Sequence, residues 1–325
     1  MSDKQIKAVT VTLNPALDLT GAIDALNVGS VSLVNQGSLH AAGKGVNVAK
    51  VLSELGAKVT VTGFLGRNNE EAFCQLFEKM GATDRFIRVD GATRINVKLV
   101  ENSGQVSDIN FPGVPVNADA IIAFEETLLE LAETHDYFVI AGSLPQGVSP
   151  QLCASWVQRL RDLGKKVLFD SSRDALKAGI NVQPWLIKPN DEELSQLFNA
   201  ELTTRDQCQH AGQALSEKGI DNIVVSLGAE GVMWLNQGEW LHAQPPRMQV
   251  VSTVGAGDTL VAGLCWGHMQ QMPKPELIKF ATALSALAVS QVGVGVTSQQ
   301  ELDSVLQNIQ LQVLGAPTNQ LDTSK

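Results

Sequence analysis

Hydrophobic and polar positions along the chain follow two alternating periods. "KAVTVTLN", starting at Lys7, is short and rich in apolar and β-branched residues, which predicts a buried strand. "GVNVAKVLSELG" spaces its apolar residues three and four apart and closes on Gly56, which predicts a helix, and the strand candidate "KVTVTGFLG" follows at once. The alternation recurs in "AFCQLFEKMG" with "DRFIRV", "AFEETLLELAETH" with "DYFVIAGS", "LCASWVQRLRDLG" with "KKVLFDSS", and "CQHAGQALSEKG" with "DNIVVSLG". Helices that close on glycine and hand over to a continuous apolar strand predict an α/β fold with a mostly parallel sheet covered on both faces. From Asp258 to about Val292 the pattern is mainly helical.

Two stretches break this rhythm. "LDLTGAIDALNVGSVSLVNQGSLHAAG" and "TRINVKLVENSGQVSDINFPG" alternate in polarity, the second around an "NSG" turn. They predict antiparallel ribbons, inserted at about 14–42 and 92–112 into a single domain spanning 1–312. Ribbons from distant parts of the chain could cap a cleft and keep water from a reaction. The tail, 313–325, ends in "APTNQLDTSK" and is expected to be disordered.

Composition narrows the class of protein. With 325 residues, 44% of them hydrophobic and 18% charged, the chain can bury a large core and reads as soluble and globular. A formal net charge of -10 with scattered basic residues argues against nucleic acid or an acidic membrane surface as the main partner. A small anionic ligand is compatible, since a few cations focused in a cleft outweigh the global charge locally. Cys74, Cys153, Cys208 and Cys265 form no C-x-x-C pair, which points to reduced thiols. The N-terminus has no signal-peptide pattern, and no run approaches the roughly 18 apolar residues of a membrane span. A cytoplasmic location is expected.

The strongest chemical signal is "VVSTVGAGDT". If "MQVVS" is a strand and "TLVAGLCWGHM" a helix, then Gly255, Ala256 and Gly257 form a helix N-terminus with uncovered amides, suited to an anion. Asp258 then sits in the first turn, as a helix cap or as a base. "AAGKGVNVAK" flanks Lys44 with Gly43 and Gly45 and adds Asn47, which is either a plain glycine turn or the approach to an anionic ligand. "IKPNDEEL" offers Lys188, Asn190 and Glu193, read either as a well-made helix start or as oxygens for a hydrated Mg²⁺. "VVSLGAEG" puts Ser226, Gly228 and Gly231 at a strand end, where a β-turn and a ligand loop are equally supported. Asp18 and Arg94 are isolated charges on the ribbons; together they could hold the hydroxyls and phosphate of a sugar phosphate. The five histidines lack metal-ligand spacing, and G-x-S-x-G is absent.

Taken in order, "AAGKGVNVAKVLSELG", "SLPQG", "KPNDEEL", "SLGAEG" and "STVGAGDT" resemble the ribokinase-like sugar kinases of the phosphofructokinase B type. The resemblance runs from "TLNPALD" to "ALAVSQ", nearly the whole chain. It implies a three-layer sandwich with a small β-sheet lid that often forms a homodimer contact, and Mg²⁺-dependent transfer of phosphate from ATP to a sugar hydroxyl. "TLNPALDLT", the lysine in "GKGVNVA", "TRINVKL" and "AGSLPQG" look most like the branch that converts fructose 1-phosphate to fructose 1,6-bisphosphate. Tagatose 6-phosphate and fructose 6-phosphate are the neighbouring substrates, and a non-catalytic sugar-phosphate sensor is the rival from another class. Carried over by position, the resemblance makes Asp258 the base and 255–257 the anion hole. It assigns the substrate to Asp18, Gly43, Lys44, Asn47, Arg94 and Ser143. Lys188, Asn190 and Glu193 fall near Mg²⁺ and the nucleotide phosphates, and Ser226, Gly228 and Gly231 on the nucleotide side. Many relatives carry Asp-Thr where this chain has Ser252-Thr253, and that Asp helps hold a monovalent cation, so dependence on K⁺ is in doubt.

Overall fold

The computed structural model describes residues 7–291, 293–296 and 298–315. Its strands are β1 (Lys7–Thr12), β2 (Ala16–Ile23), β3 (Gln36–Ala42), β4 (Lys58–Gly66), β5 (Thr83–Asp84), β6 (Ile87–Val89), β7 (Arg94–Glu101), β8 (Val106–Asn110), β9 (Tyr137–Ala141), β10 (Lys166–Asp170), β11 (Leu186–Ile187), β12 (Asn222–Ser226), β13 (Val232–Asn236), β14 (Glu239–Gln244) and β15 (Gln310–Leu314). Its α-helices are α1 (Lys44–Glu54), α2 (Glu71–Met80), α3 (Ala118–Thr134), α4 (Pro150–Asp162), α5 (Arg173–Ile180), α6 (Asp191–Phe198), α7 (Arg205–Ser216), α8 (Ala256–Met269), α9 (Lys274–Ala288) and α10 (Gln299–Gln307).

The central sheet runs β15-β14-β13-β12-β11-β10-β9-β1-β4-β5, with β6 also on β4. Every pairing from β12 to β5 is parallel, and β13, β14 and β15 add an antiparallel margin. Side chains on a strand alternate between faces, so each apolar strand feeds two cores. Ala8, Val139, Leu168 and Val224 pack with α1, α8 and α9, whereas Val9, Phe138, Phe169 and Val225 pack with α3, α4 and α7. The result is the ribokinase-like three-layer arrangement.

A separate four-stranded sheet has the order β3-β2-β7-β8. Each ribbon is antiparallel, but the seam joining them, β2 with β7, is parallel, because both strands leave the body of the domain in the same direction. The "NSG" turn closes the second ribbon, with Gly104 N–H donating to Glu101 O at 2.8 Å. The small sheet has two chemically distinct faces. Arg94, Asn96 and Lys98 alternate along β7 with Ile95, Val97 and Leu99, and Asp18 lies opposite Asn96 in register.

Other local expectations change. "MQVVS" forms no strand; Val251 and Ser252 instead donate their N–H groups to Val289 O, which ties the segment to the end of α9. "DRFIRV" is split between β5 and β6. The β13–β14 hairpin, turning through Gln237 and Gly238 at φ 53° and 77°, was not anticipated, although paired positive φ angles suit the twist of such a turn. Strand β15 reaches Leu314, so the expected disordered tail begins too early at 313, and residues 316–325 lie outside the described residues. No helix among the described residues is long and apolar enough to cross a membrane.

Candidate active site

The carboxyl ends of neighbouring parallel strands deliver one polar group after another to the same edge. Asn14 follows β1, Ser143 follows β9, Asp170 ends β10, Lys188 follows β11 and Ser226 ends β12. Open α/β sheets bind ligands at this edge because their connections diverge there. Two helices start over it without a side-chain cap: α1 behind Gly43 and α8 behind Gly255. Their dipoles, and the first N–H groups apart from that of Ala256, which donates to Thr253 O at 3.4 Å, therefore remain available to a ligand.

Gly255 adopts φ 82°, a left-handed conformation that L side chains rarely take, and a Cβ there would lie 2.3 Å from Val294 Cγ2. Its carbonyl accepts from the N–H of Thr259 at 2.9 Å and from its hydroxyl at 2.8 Å. A Cβ on Gly257 would sit 3.5 Å from Lys188 Nζ, so the bare side of this turn faces an ammonium. Asp258 does not cap the helix. It is 6% exposed, and its Oδ2 accepts from Asn47 Nδ2 at 2.7 Å. Burial pushes its carboxyl up to about 6; the nearby Asp170 charge acts in the same direction, while Lys44, the Asn47 hydrogen bond and Lys188 oppose it.

Beneath this turn one carboxylate meets two ammonium groups. Asp170 Oδ2 lies 3.2 Å from Lys44 Nζ, and Asp170 Oδ1 lies 3.4 Å from Lys188 Nζ. Burial disfavours the Asp170 charge, but Lys188 and Lys44 overcome it and hold the carboxyl below its usual range. Asp170 likewise raises the Lys44 pKa against burial, with further help from Asp258 and Glu193. Lys44, Asn47, Lys188, Glu193 and Asp258 are thus brought to one chamber.

The ribbons form its other side. Asp18 accepts from Lys98 Nζ at 2.7 Å and from Asn96 Nδ2 at 3.2 Å. Arg94 Nη2 donates to Asn14 O at 3.0 Å and is 3.4 Å from Ser143 Oγ, which also accepts from Asn14 Nδ2 at 3.0 Å. Burial lowers the Arg94 pKa and Asp18 opposes the shift, which places these two charges near each other.

On the opposite side, Asn190 and Glu193 form a reciprocal capping box on α6. Asn190 Oδ1 accepts from Glu193 N–H at 2.7 Å, and Glu193 Oε2 accepts from Asn190 N–H at 3.1 Å. The helix-start reading of "PNDEEL" is therefore what the structure shows, and the charge of its glutamate also acts on Lys44. Ser226 N–H donates to Pro189 O, bridging β12 to this segment. Gly228 opens a 3₁₀ turn toward free space, whereas a Cβ on Gly231 would lie 2.1 Å from Ala243 O, so Gly231 is required by packing of the chain itself. Ser252 Oγ accepts from Val254 N–H at 3.2 Å in a local turn.

Residues 11–301 match the model of the pfkB family carbohydrate kinases. The chain belongs to this family. The 1-phosphofructokinase of Vibrio cholerae is 70% identical over 308 residues, 95% of this chain and 97% of that protein. The 1-phosphofructokinase of Escherichia coli K12 is 46% identical over 307 residues, 94% and 98% of the two chains. Among solved structures, Escherichia coli phosphofructokinase-2 in complex with potassium superposes with a TM-score of 0.86 at 27% identity, covering 93% of this chain and 99% of that one.

In this pfkB kinase the motif reading missed Asp170, Asn14, Asn96 and Lys98. A signal existed for Asp170, an acidic residue closing the apolar run "KKVLFD" at the carboxyl end of a parallel strand. Lys98 and Asn96 become meaningful only once β7 is aligned beside β2.

The raised Asp258 pKa carries a stability consequence with a definite sign. Because the folded pKa of about 6 exceeds the ordinary carboxyl value, the native state binds the extra proton, and stability falls as pH rises from about 4 through 6. Above that window the ionised group costs roughly 3 kcal/mol. Asp258→Asn removes the charge while keeping the shape, so at pH 7.5 it should melt about 2 °C or more above the parent in a thermal unfolding scan. A lower melting temperature would contradict the buried charge.

Proposed function

We propose that the protein is an ATP-dependent 1-phosphofructokinase, transferring the γ-phosphoryl group to the 6-hydroxyl of fructose 1-phosphate. The observation that supports it most is a buried carboxylate, Asp258, in the same helical turn as the uncapped amides at 255–257, with two ammonium groups behind. The choice of sugar follows the relatives of highest quoted identity, both 1-phosphofructokinases.

Phosphoryl transfer asks a protein mainly for alignment and for compensation of charge on the equatorial oxygens. In this reading Asp258 accepts the proton of the 6-hydroxyl as its oxygen bonds to phosphorus and the bond to the ADP oxygen breaks. Asn47 keeps the carboxylate aimed. The N–H groups of Gly255 and Gly257, together with that of Ala256, which is shared with Thr253 O at 3.4 Å, face the oxygens of the migrating group, where fixed dipoles cost no reorganisation. Asp18, Gly43, Lys44, Asn47 and Ser143 contact the sugar phosphate, with Arg94 gripping its 1-phosphate. Lys188 serves the nucleotide phosphates, with Ser226, Gly228 and Gly231 along the nucleotide.

The residues present suit Mg²⁺ as a hydrated ion that arrives with the nucleotide. No cluster of three or more His, Cys, Asp or Glu side chains forms a cage among the described residues, and Glu193 spends one oxygen on its cap. Magnesium retains several waters and needs only one or two carboxylates besides phosphate. Asn190 and Glu193 would hold its water shell, and the ion would supply positive charge to the phosphates.

A homodimer through the small sheet belongs to the same reading. Leu39, Leu19 and Ile109 lie in one row across the strands through Val97, Ile95 lies two residues before Val97 on the same face, and the four are each between 39% and 49% exposed. Four large apolar side chains on one face suit a second copy of that face. Sedimentation velocity should give twice the 34.7 kDa chain mass, and a species at 34.7 kDa would contradict it.

Release of ADP, followed with fructose 1-phosphate, tagatose 6-phosphate and fructose 6-phosphate, tests the reaction; kcat/KM should be highest for the first, and a flat trace with all three would refute a kinase. The base assignment predicts that kcat/KM falls about tenfold per pH unit below the Asp258 pKa of about 6, because only the ionised carboxylate accepts a proton. Asp258→Asn should lower kcat by about 10³-fold or more with little change in KM, and near-normal turnover would remove Asp258 as base. Arg94→Ala should raise KM for the sugar phosphate by about tenfold or more and leave KM for ATP nearly unchanged. The opposite split would take Arg94 out of the sugar site.

A further inference from the structure

Asp170 is the most deeply placed charge in the chamber, with 2% of its side chain exposed against 5% for Lys188. Its main chain is fixed from β9: Gly142 N–H donates to Asp170 O at 2.9 Å, and Ser171 Oγ donates back to Gly142 O at 2.9 Å. Its two oxygens face two ammonium groups from different elements, Lys44 at the first residue of α1 and Lys188 just beyond β11. Each ammonium gains from the shared carboxylate, Lys188 most because its side chain is buried while that of Lys44 is partly exposed. A cation at a helix N-terminus opposes the helix dipole, Lys188 is only 5% exposed, and the two would repel each other across the gap that Asp170 fills. Lys188 in turn lies against the bare face of Gly257, so this carboxylate sets where positive charge stands relative to the 255–258 turn.

We propose that Asp170 is a positioning residue for phosphoryl transfer: it fixes Lys44 and Lys188 as a pair of oriented ammonium groups beneath the 255–258 turn, without itself touching either substrate. The inference rests on the reading of Asp258 as the base. The charged and hydrogen-bonding groups acting on Asp258 are Lys44 and Asn47 from α1, Asp170 from β10 and Lys188 beyond β11, while Glu193 from α6 acts on Lys44. Loss of the Asp170 charge would take a like charge away from Asp258 and leave two cations without their counterion, and both changes favour the ionised base.

The test is Asp170→Asn in the full-length enzyme. Turnover should fall by about tenfold or more as the lysines lose their anchor, while the acid limb of kcat/KM moves down by about one pH unit. A variant with the parent's rate and limb, or one slowed with the limb unmoved, would overturn the proposal; the second result is what a purely structural role gives. In a Lys44→Met background the same substitution should cost several-fold less, since half of what Asp170 holds is gone, and an equal loss in both backgrounds would contradict action through Lys44. Near-normal turnover of Asp258→Asn would sink the base assignment, a failure separable from these. If Asp170→Asn does not fold, ¹⁵N-lysine labelling of the parent decides. The Nζ resonances of Lys44 and Lys188, assigned through Lys44→Met and Lys188→Met, should show protected ammonium protons at neutral pH; rapid solvent exchange at both would overturn the pairing.

Discussion

A carboxylate held out of water beside uncovered backbone amides is the constraint on which the rest of this structure depends. In water Asp258 would be a weak base, ionised far below neutral pH. Its burial in the first turn of α8 raises its proton affinity to about 6, close to where a base for a sugar hydroxyl is useful. The same turn is a helix start without a side-chain cap, and fixed N–H dipoles at such a start favour an anion without adding a mobile charge. The carboxylate and the uncapped helix start are thereby fixed relative to each other by a single helical turn, and the glycine conformation at 255 lets the turn form.

The surrounding charges make that burial tolerable. Two lysines and Asn47 oppose the desolvation of Asp258, and Asp170 keeps the lysines from repelling one another. Lys44 and Asn47 come from the start of α1, Asp170 from the end of β10, Lys188 from just beyond β11 and Asp258 from the start of α8, so the network exists only when the parallel sheet is assembled. Formation of the sheet and formation of the site are one event, which explains why so many polar groups collect at a single edge of an otherwise apolar core.

The layered fold was legible because helices closing on glycine and handing over to β-branched strands leave few architectures. The Gly-Ala-Gly-Asp turn and the Gly-Lys-Gly segment were legible as helix starts, because glycines followed by an apolar helical spacing mark such a boundary, while a cap or plain turn and a ligand site gave the same local pattern. Asp170 was not singled out: its partners Lys44 and Lys188 stand 126 and 18 residues away, and nothing local marks it beyond its place at a strand end. Lys98 and Asn96 depend on the parallel seam between β2 and β7, whereas the alternation suggested only antiparallel ribbons. Asn190 and Glu193 were ambiguous for a physical reason. The residues that build a good helix cap are the same ones that attract a hydrated cation, and the structure puts the cap in place within reach of the chamber.

The most direct measurement is the titration of the Asp258 side chain itself, followed by ¹³C NMR of its carboxyl carbon in the intact protein without ligand. The account predicts an inflection near pH 6, with the resonance assigned by its loss in Asp258→Asn. An inflection near 4, the ordinary aspartate value, would show a solvated carboxylate and contradict the central claim.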